Sequence, residues 1–66
     1  MRIFFNGDPR EVDDGTTIAA LLQQLGLEPR HVAVEVNLQL VPRDRHHEHL
    51  LQDEDRLEVV TLVGGG

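Results

Sequence analysis

The sequence predicts an α+β domain, a mixed sheet of four to five strands with one main helix packed on one face. Segments at both ends of the chain carry apolar residues at every second position, the period of strands. Only Ile18 to Leu25 carries the 3.6-residue period of a helix, and Asn, Gly, Asp and Pro punctuate the segments between.

In Met1 to Asn6, the side chains of Met1, Ile3 and Phe5 fall on one side of an extended chain and those of Arg2 and Phe4 on the other. Asn6-Gly7 follows at once. It marks a hairpin because both central positions of a type I′ turn need positive φ. Asp8-Pro9 is expected to extend that turn, and Arg10 to Asp13 to form the returning strand with Val12 inward. Asp13 to Thr17 breaks the pattern, and then Ile18, Leu21, Leu22 and Leu25 line one helix face. Thr17 is the expected N-cap, its hydroxyl accepting from an otherwise orphan backbone N–H. Gly26 is the expected left-handed stop, with Leu27 folding back onto the last turn.

Beyond Glu28-Pro29-Arg30, Val32, Val34 and Val36 alternate with Ala33, Glu35 and Asn37 as in a half-buried strand. A turn over Asn37 to Gln39 leads to a short strand at Leu40-Val41. It stops at Pro42, which lacks the N–H that a central ladder requires. Arg43 to His49 reads as a polar stretch with one short helical turn, Leu50-Leu51 as a return to the core, and Gln52 to Asp55 as an acidic turn with solvated charge. Leu57 to Val63 is the last strand, expected beside the first at the centre of the sheet. Residues 1–63 then form one domain, and Gly64, Gly65 and Gly66 a flexible tail.

With 66 residues and no apolar run near spanning length, the chain is expected to be one small cytoplasmic domain without a membrane span or signal segment. A fold of this size hides only about 60% of its unfolded surface, so function is expected on the surface or at an end. The absence of cysteine excludes disulfides, a thiol nucleophile, a zinc-thiolate site and sulfur carried on a side chain. A net charge of -6, scattered arginines and only Phe4 and Phe5 as aromatics argue against nucleic acid. They suit a protein partner with a basic docking face. All six basic residues are arginine. An activated acyl end would gain from the lack of side-chain amines, but a genome-wide arginine bias is the simpler account, since a lysine pKa of about 10.4 already keeps most amines protonated.

The terminal glycines cannot stabilise a fold. A tail without Cβ atoms can thread a narrow channel and leaves its acyl carbon open to attack, although a frayed end or an expression scar has the same composition. The rest of the chain gives the tail its meaning. Ile3-Phe4-Phe5-Asn6-Gly7, Gly15-Thr16-Thr17-Ile18 before Leu21-Leu22, Val32 to Asn37, Val41-Pro42-Arg43, and Asp53 to Val60 running to Gly65-Gly66 resemble, in order and spacing, the ThiS-type sulfur carriers of thiamine biosynthesis. These belong to the ubiquitin-like β-grasp family. Two departures stand out: Glu54 lies where such carriers usually have glycine, and His46 or a neighbour where they often have tryptophan.

The resemblance implies that the chain is not an enzyme but a substrate of partner enzymes, with no catalytic group, metal or bound cofactor. A ubiquitin-activating-type adenylyltransferase would use ATP to adenylate the Gly66 carboxylate. A persulfide donor, either a cysteine desulfurase or a rhodanese-like protein, would then convert it to a thiocarboxylate. Thiazole synthase would receive the sulfur. Gly64 and Gly65 would serve in recognition of the tail.

Strand alternation places Phe4, Val60 and Leu62 on the sheet face away from the helix, the expected docking face. Single exposed apolar residues are also ordinary. His46-His47-x-His49 reads as a polar loop before it reads as a metal site, Asp53-Glu54-Asp55 lacks calcium-ligand spacing, and Asp13-Asp14 has no acid/base partner in sight. Other readings are the small subunit of molybdopterin synthase, a non-covalent ubiquitin-like interaction module and a protein-conjugating modifier.

Overall fold

A computed structural model describes residues 1–62. The expected end of the domain at Val63 and the tail Gly64, Gly65 and Gly66 lie outside the described residues. Asn6 and Gly7, with φ of 50° and 89°, close a two-residue turn between β1 (Arg2–Phe5) and β2 (Asp8–Glu11). Phe5 pairs with Asp8, so the turn is complete before Asp8-Pro9, which belongs to the strand and not, as expected, to the turn. The strand tolerates Pro9 because β2 is an edge. Pro9 also faces Phe4 one step beyond the closing pair, where the antiparallel pattern asks for no N–H toward β1. Val12 follows the strand, buried, and donates its N–H to the Met1 carbonyl at 2.9 Å.

The helix α1 (Ile18–Gln24) starts as expected, with Thr17 Oγ1 accepting from Ala20 N–H at 3.1 Å. It ends at Gly26, φ 71°, where Gly26 N–H bonds Gln23 O and Leu27 N–H bonds Leu22 O. That double closure satisfies carbonyls the last turn would otherwise leave open, and it brings Leu27 back against the core. Ile18, Leu21 and Leu22 are fully buried with Ile3, Val34 and Leu57 from the sheet.

A 3₁₀ turn at Pro29–His31 leads into β3 (Val32–Val36), and Asn37 and Leu38, φ 52° and 71°, form the second two-residue turn, into β4 (Gln39–Val41). After a 3₁₀ turn at Arg43–Arg45 the chain crosses to β5 (Arg56–Thr61). The sheet has five strands in the order β2-β1-β5-β3-β4, with β5 parallel to β1 and antiparallel to β3. The first and last strands are central neighbours, as expected. Among the described residues no helix is long and apolar enough to cross a membrane.

Three further expectations need correction. Leu50 is 57% exposed while Leu51 is buried, because the segment is extended where Leu50 bridges Thr17, and neighbouring side chains in an extended chain point to opposite faces. His46 is not a solvated loop residue: it is buried, with Nε2 3.0 Å from the Val41 carbonyl and its own carbonyl accepting from Ala19 N–H. The ring pins the polar stretch onto the core at the position where the resemblance expected a large flat side chain. The acidic turn is tied down as well. Asp55 is buried and accepts from Asn37 Nδ2 and Gln52 N–H, Asp53 accepts from Arg2 N–H, and Glu54 pairs with the Arg2 guanidinium. Glu54 has φ 70°, the left-handed conformation in which glycine is at ease.

Candidate functional site

The strand β5 is the axis of the site because it is central and leads toward the glycines. Leu57 and Val59 point to the helix and are buried; Arg56, Glu58 and Val60 alternate onto the other face. Leu62 continues the ladder by donating its N–H to His31 O at 2.7 Å, and so shares the outward side with Val60. Val60 and Leu62 are 57% and 53% exposed. Beside them the register sets Ala33 against Val60, Glu35 against Glu58, and Leu40 against Glu35.

Phe4 lies on the same face, paired with Arg56. Its ring is partly buried and has two guanidinium groups over it, Arg2 at 5.1 Å and Arg56 at 4.7 Å from the centroid. Cations over an aromatic face are held by its quadrupole, so Phe4 presents a clamped ring rather than an open apolar knob. The expected trio shares one face, with Val60 and Leu62 following each other toward the tail and Phe4 beside the start of β5. Leu40, 66% exposed, extends the apolar surface and was missed, since its place opposite Glu35 depends on register.

Sequence reasoning also missed how β5 is held. Asn6 Oδ1 accepts from Val59 N–H at 2.7 Å and its Nδ2 donates to Val59 O at 3.1 Å. Asn37 Oδ1 accepts from Arg56 N–H at 3.0 Å. Each asparagine adopts the positive φ that its turn needs and uses its carboxamide to extend the ladder to β5. Asn6→Ala should therefore cost about 2 kcal/mol, from two lost hydrogen bonds and from a side chain that tolerates left-handed backbone less well than asparagine. Urea unfolding checks this, with Asn6→Gly expected to lose less because glycine relieves the backbone part.

The histidines do not converge: His46 faces the core, His47 is exposed, and among the described residues no group of three His, Cys, Asp or Glu could hold a metal ion. The hollow beside β4 contains Arg45 and Glu48, which are paired with each other at 3.0 Å. Gly64, Gly65 and Gly66, the residues expected to carry recognition and covalent chemistry, lie outside the described residues.

The model of the ThiS family matches residues 3–66. The sulfur carrier protein ThiS of Escherichia coli is 33% identical over 66 residues, the whole of both chains. A thiazole synthase of Magnetococcus marinus is 44% identical over 66 residues, which is all of this chain and 20% of that protein. The chain thus spans about one fifth of the length of that relative. The crystal structure of a thiamine biosynthesis protein (ThiS) from Geobacter metallireducens superposes with a TM-score of 0.85 at 29% identity, covering 100% of both chains. One helix on a five-stranded mixed sheet in this order is the ubiquitin-like β-grasp, and the chain belongs to the ThiS family.

Proposed function

We propose that the chain is a sulfur carrier of thiamine biosynthesis that works as a substrate of partner enzymes, with Gly66 as the covalent site. In this reading Gly66 ends in a carboxylate that attacks the α-phosphorus of ATP in an adenylyltransferase of the ubiquitin-activating type. Pyrophosphate leaves, and a mixed anhydride with AMP forms. The terminal sulfur of a donor persulfide then attacks the acyl carbon and AMP departs, giving an acyl disulfide. A second thiol cleaves its S–S bond, leaving a thiocarboxylate on Gly66 and a disulfide on the thiol side. Thiazole synthase consumes the sulfur. Gly64 and Gly65 let the tail enter the partners' channels, and Phe4, Val60 and Leu62 dock the domain.

The observation that carries this reading is the family match that runs unbroken from the folded domain through Gly66. Exposed Val60 on β5 and Leu62 just beyond its end support docking. A thiazole synthase that contains a segment matching the whole chain supports the choice of acceptor. The test is intact-protein mass spectrometry of the 66-residue chain after incubation with ATP, the adenylyltransferase and a persulfide donor, with a Gly66-deleted control. An AMP adduct that converts to a species heavier by one oxygen-to-sulfur exchange, absent from the control, is expected. No adduct with an adenylyltransferase competent on another carrier would end the proposal.

A further inference from the structure

On the sheet face away from α1, two carboxylates stand side by side. Glu35 of β3 and Glu58 of β5 are directly opposed in the antiparallel ladder. In the same ladder Asn37 N–H bonds Arg56 O and Leu62 N–H bonds His31 O. The alternation of antiparallel bonding then makes Glu35 and Glu58 a hydrogen-bonded pair, with Cα atoms about 5.5 Å apart. Both side chains are exposed. Like charges opposed in this way destabilise a sheet. Among the described residues neither has an ion-pair partner: Arg2 is taken by Glu54, Arg30 by Glu28 and Arg45 by Glu48. Arg56, two positions before Glu58 on the same face, lays its guanidinium over Phe4 instead. Apolar side chains frame the pair, Leu40 across from Glu35, with Ala33 and Val60 in the next row toward the tail.

We propose that an arginine of the adenylyltransferase docks across Glu35 and Glu58, with apolar side chains of the same enzyme resting on Leu40, Val60 and Leu62. The inference rests on the function proposed above and deepens it. A guanidinium offers a planar fork of donors that two neighbouring carboxylates can share. Bound there, it removes the repulsion built into the free sheet, and the contact strengthens as the apolar frame excludes water. The net charge of -6 draws in any basic partner from a distance. The opposed pair does more, because it fixes one register of β5 against the enzyme and so the direction in which the chain leaves Leu62. Phosphate-bearing surfaces, whether nucleic acid or anionic lipid, are repelled by the same two groups.

The experiment measures adenylation kinetics of the full chain and of its Glu35→Gln/Glu58→Gln variant over a series of salt concentrations, alongside thermal unfolding. The double variant should show KM raised about tenfold with little change in kcat, and a flatter salt dependence. Its melting midpoint at low salt should match or exceed that of the parent, which separates docking from folding. The single variants should each show part of the KM shift, and they provide the reading if the double variant fails to fold. If the parent is adenylated and the variants keep its KM and salt dependence, the arginine contact is wrong while the carrier function stands. If an adenylyltransferase competent on another carrier leaves the parent unmodified, the function falls and the contact with it.

Discussion

A Val60→Glu chain should be adenylated with kcat/KM lowered by about a hundredfold, because a charge on the proposed docking face removes an apolar contact and must also be desolvated. Val60 is 57% exposed and its backbone lies in the β3–β5 ladder, so the substitution changes the surface without touching the core. Stability should stay within about 0.5 kcal/mol of the parent. Pyrophosphate exchange and thermal unfolding of the same preparation read the two quantities separately. Unchanged kinetics would remove this residue from the docking surface.

Leu57→Ala should do the reverse, crippling the fold first. Leu57 is 1% exposed near the start of the central strand, with Phe5 beside it on β1 and Val36 on β3. Removing a buried leucine side chain costs about 2–5 kcal/mol, the transfer term plus the cavity left behind. A chain of 66 residues has roughly 3–10 kcal/mol to lose at ordinary stability per residue. The melting midpoint should fall by about 10 °C or more. Adenylation measured well below that midpoint should keep its KM, since the proposed docking face is intact in the molecules that remain folded. A midpoint within 2 or 3 degrees of the parent, on the order of half a kcal/mol, would mean that the core closes around the gap.

Where one local rule decides the outcome, the sequence was readable. Asn6-Gly7, the Thr17 cap, the Gly26 stop and the alternation through Val32, Val34 and Val36 each follow from chemistry within a few residues, and the structure has them as expected. The neighbouring of the first and last strands at the centre of the sheet was legible from the order of elements, while the full order across the sheet was not. Errors arose where a residue's place depends on distant chain. Pro9 could be assigned to a strand only once β2 was known to be an edge. Leu50 turns outward because of its bridge to Thr17, and His46 is buried by contacts with Val41 and Ala19. The candidate site divides in the same way. Val60 and Leu62 were visible through period-two alternation, whereas the clamp on Phe4, the exposure of Leu40 and the opposition of Glu35 to Glu58 required the register between strands. At the glycines only composition and resemblance speak.

The parallel pairing of β1 with β5, and the antiparallel pairing of β5 with β3, also have a mechanical meaning. Traction on the chain beyond Leu62, of the kind a partner exerts when it draws in a substrate's end, acts along β5. The bonds on both flanks of that strand run across the load and are strained in shear. They must rupture together, whereas a strand peeled from an edge would release them one at a time. The carboxamides of Asn6 and Asn37 add rungs to both flanks. A small domain can thus serve as a firm anchor for its own tail, resisting far more pull than its modest thermodynamic stability suggests.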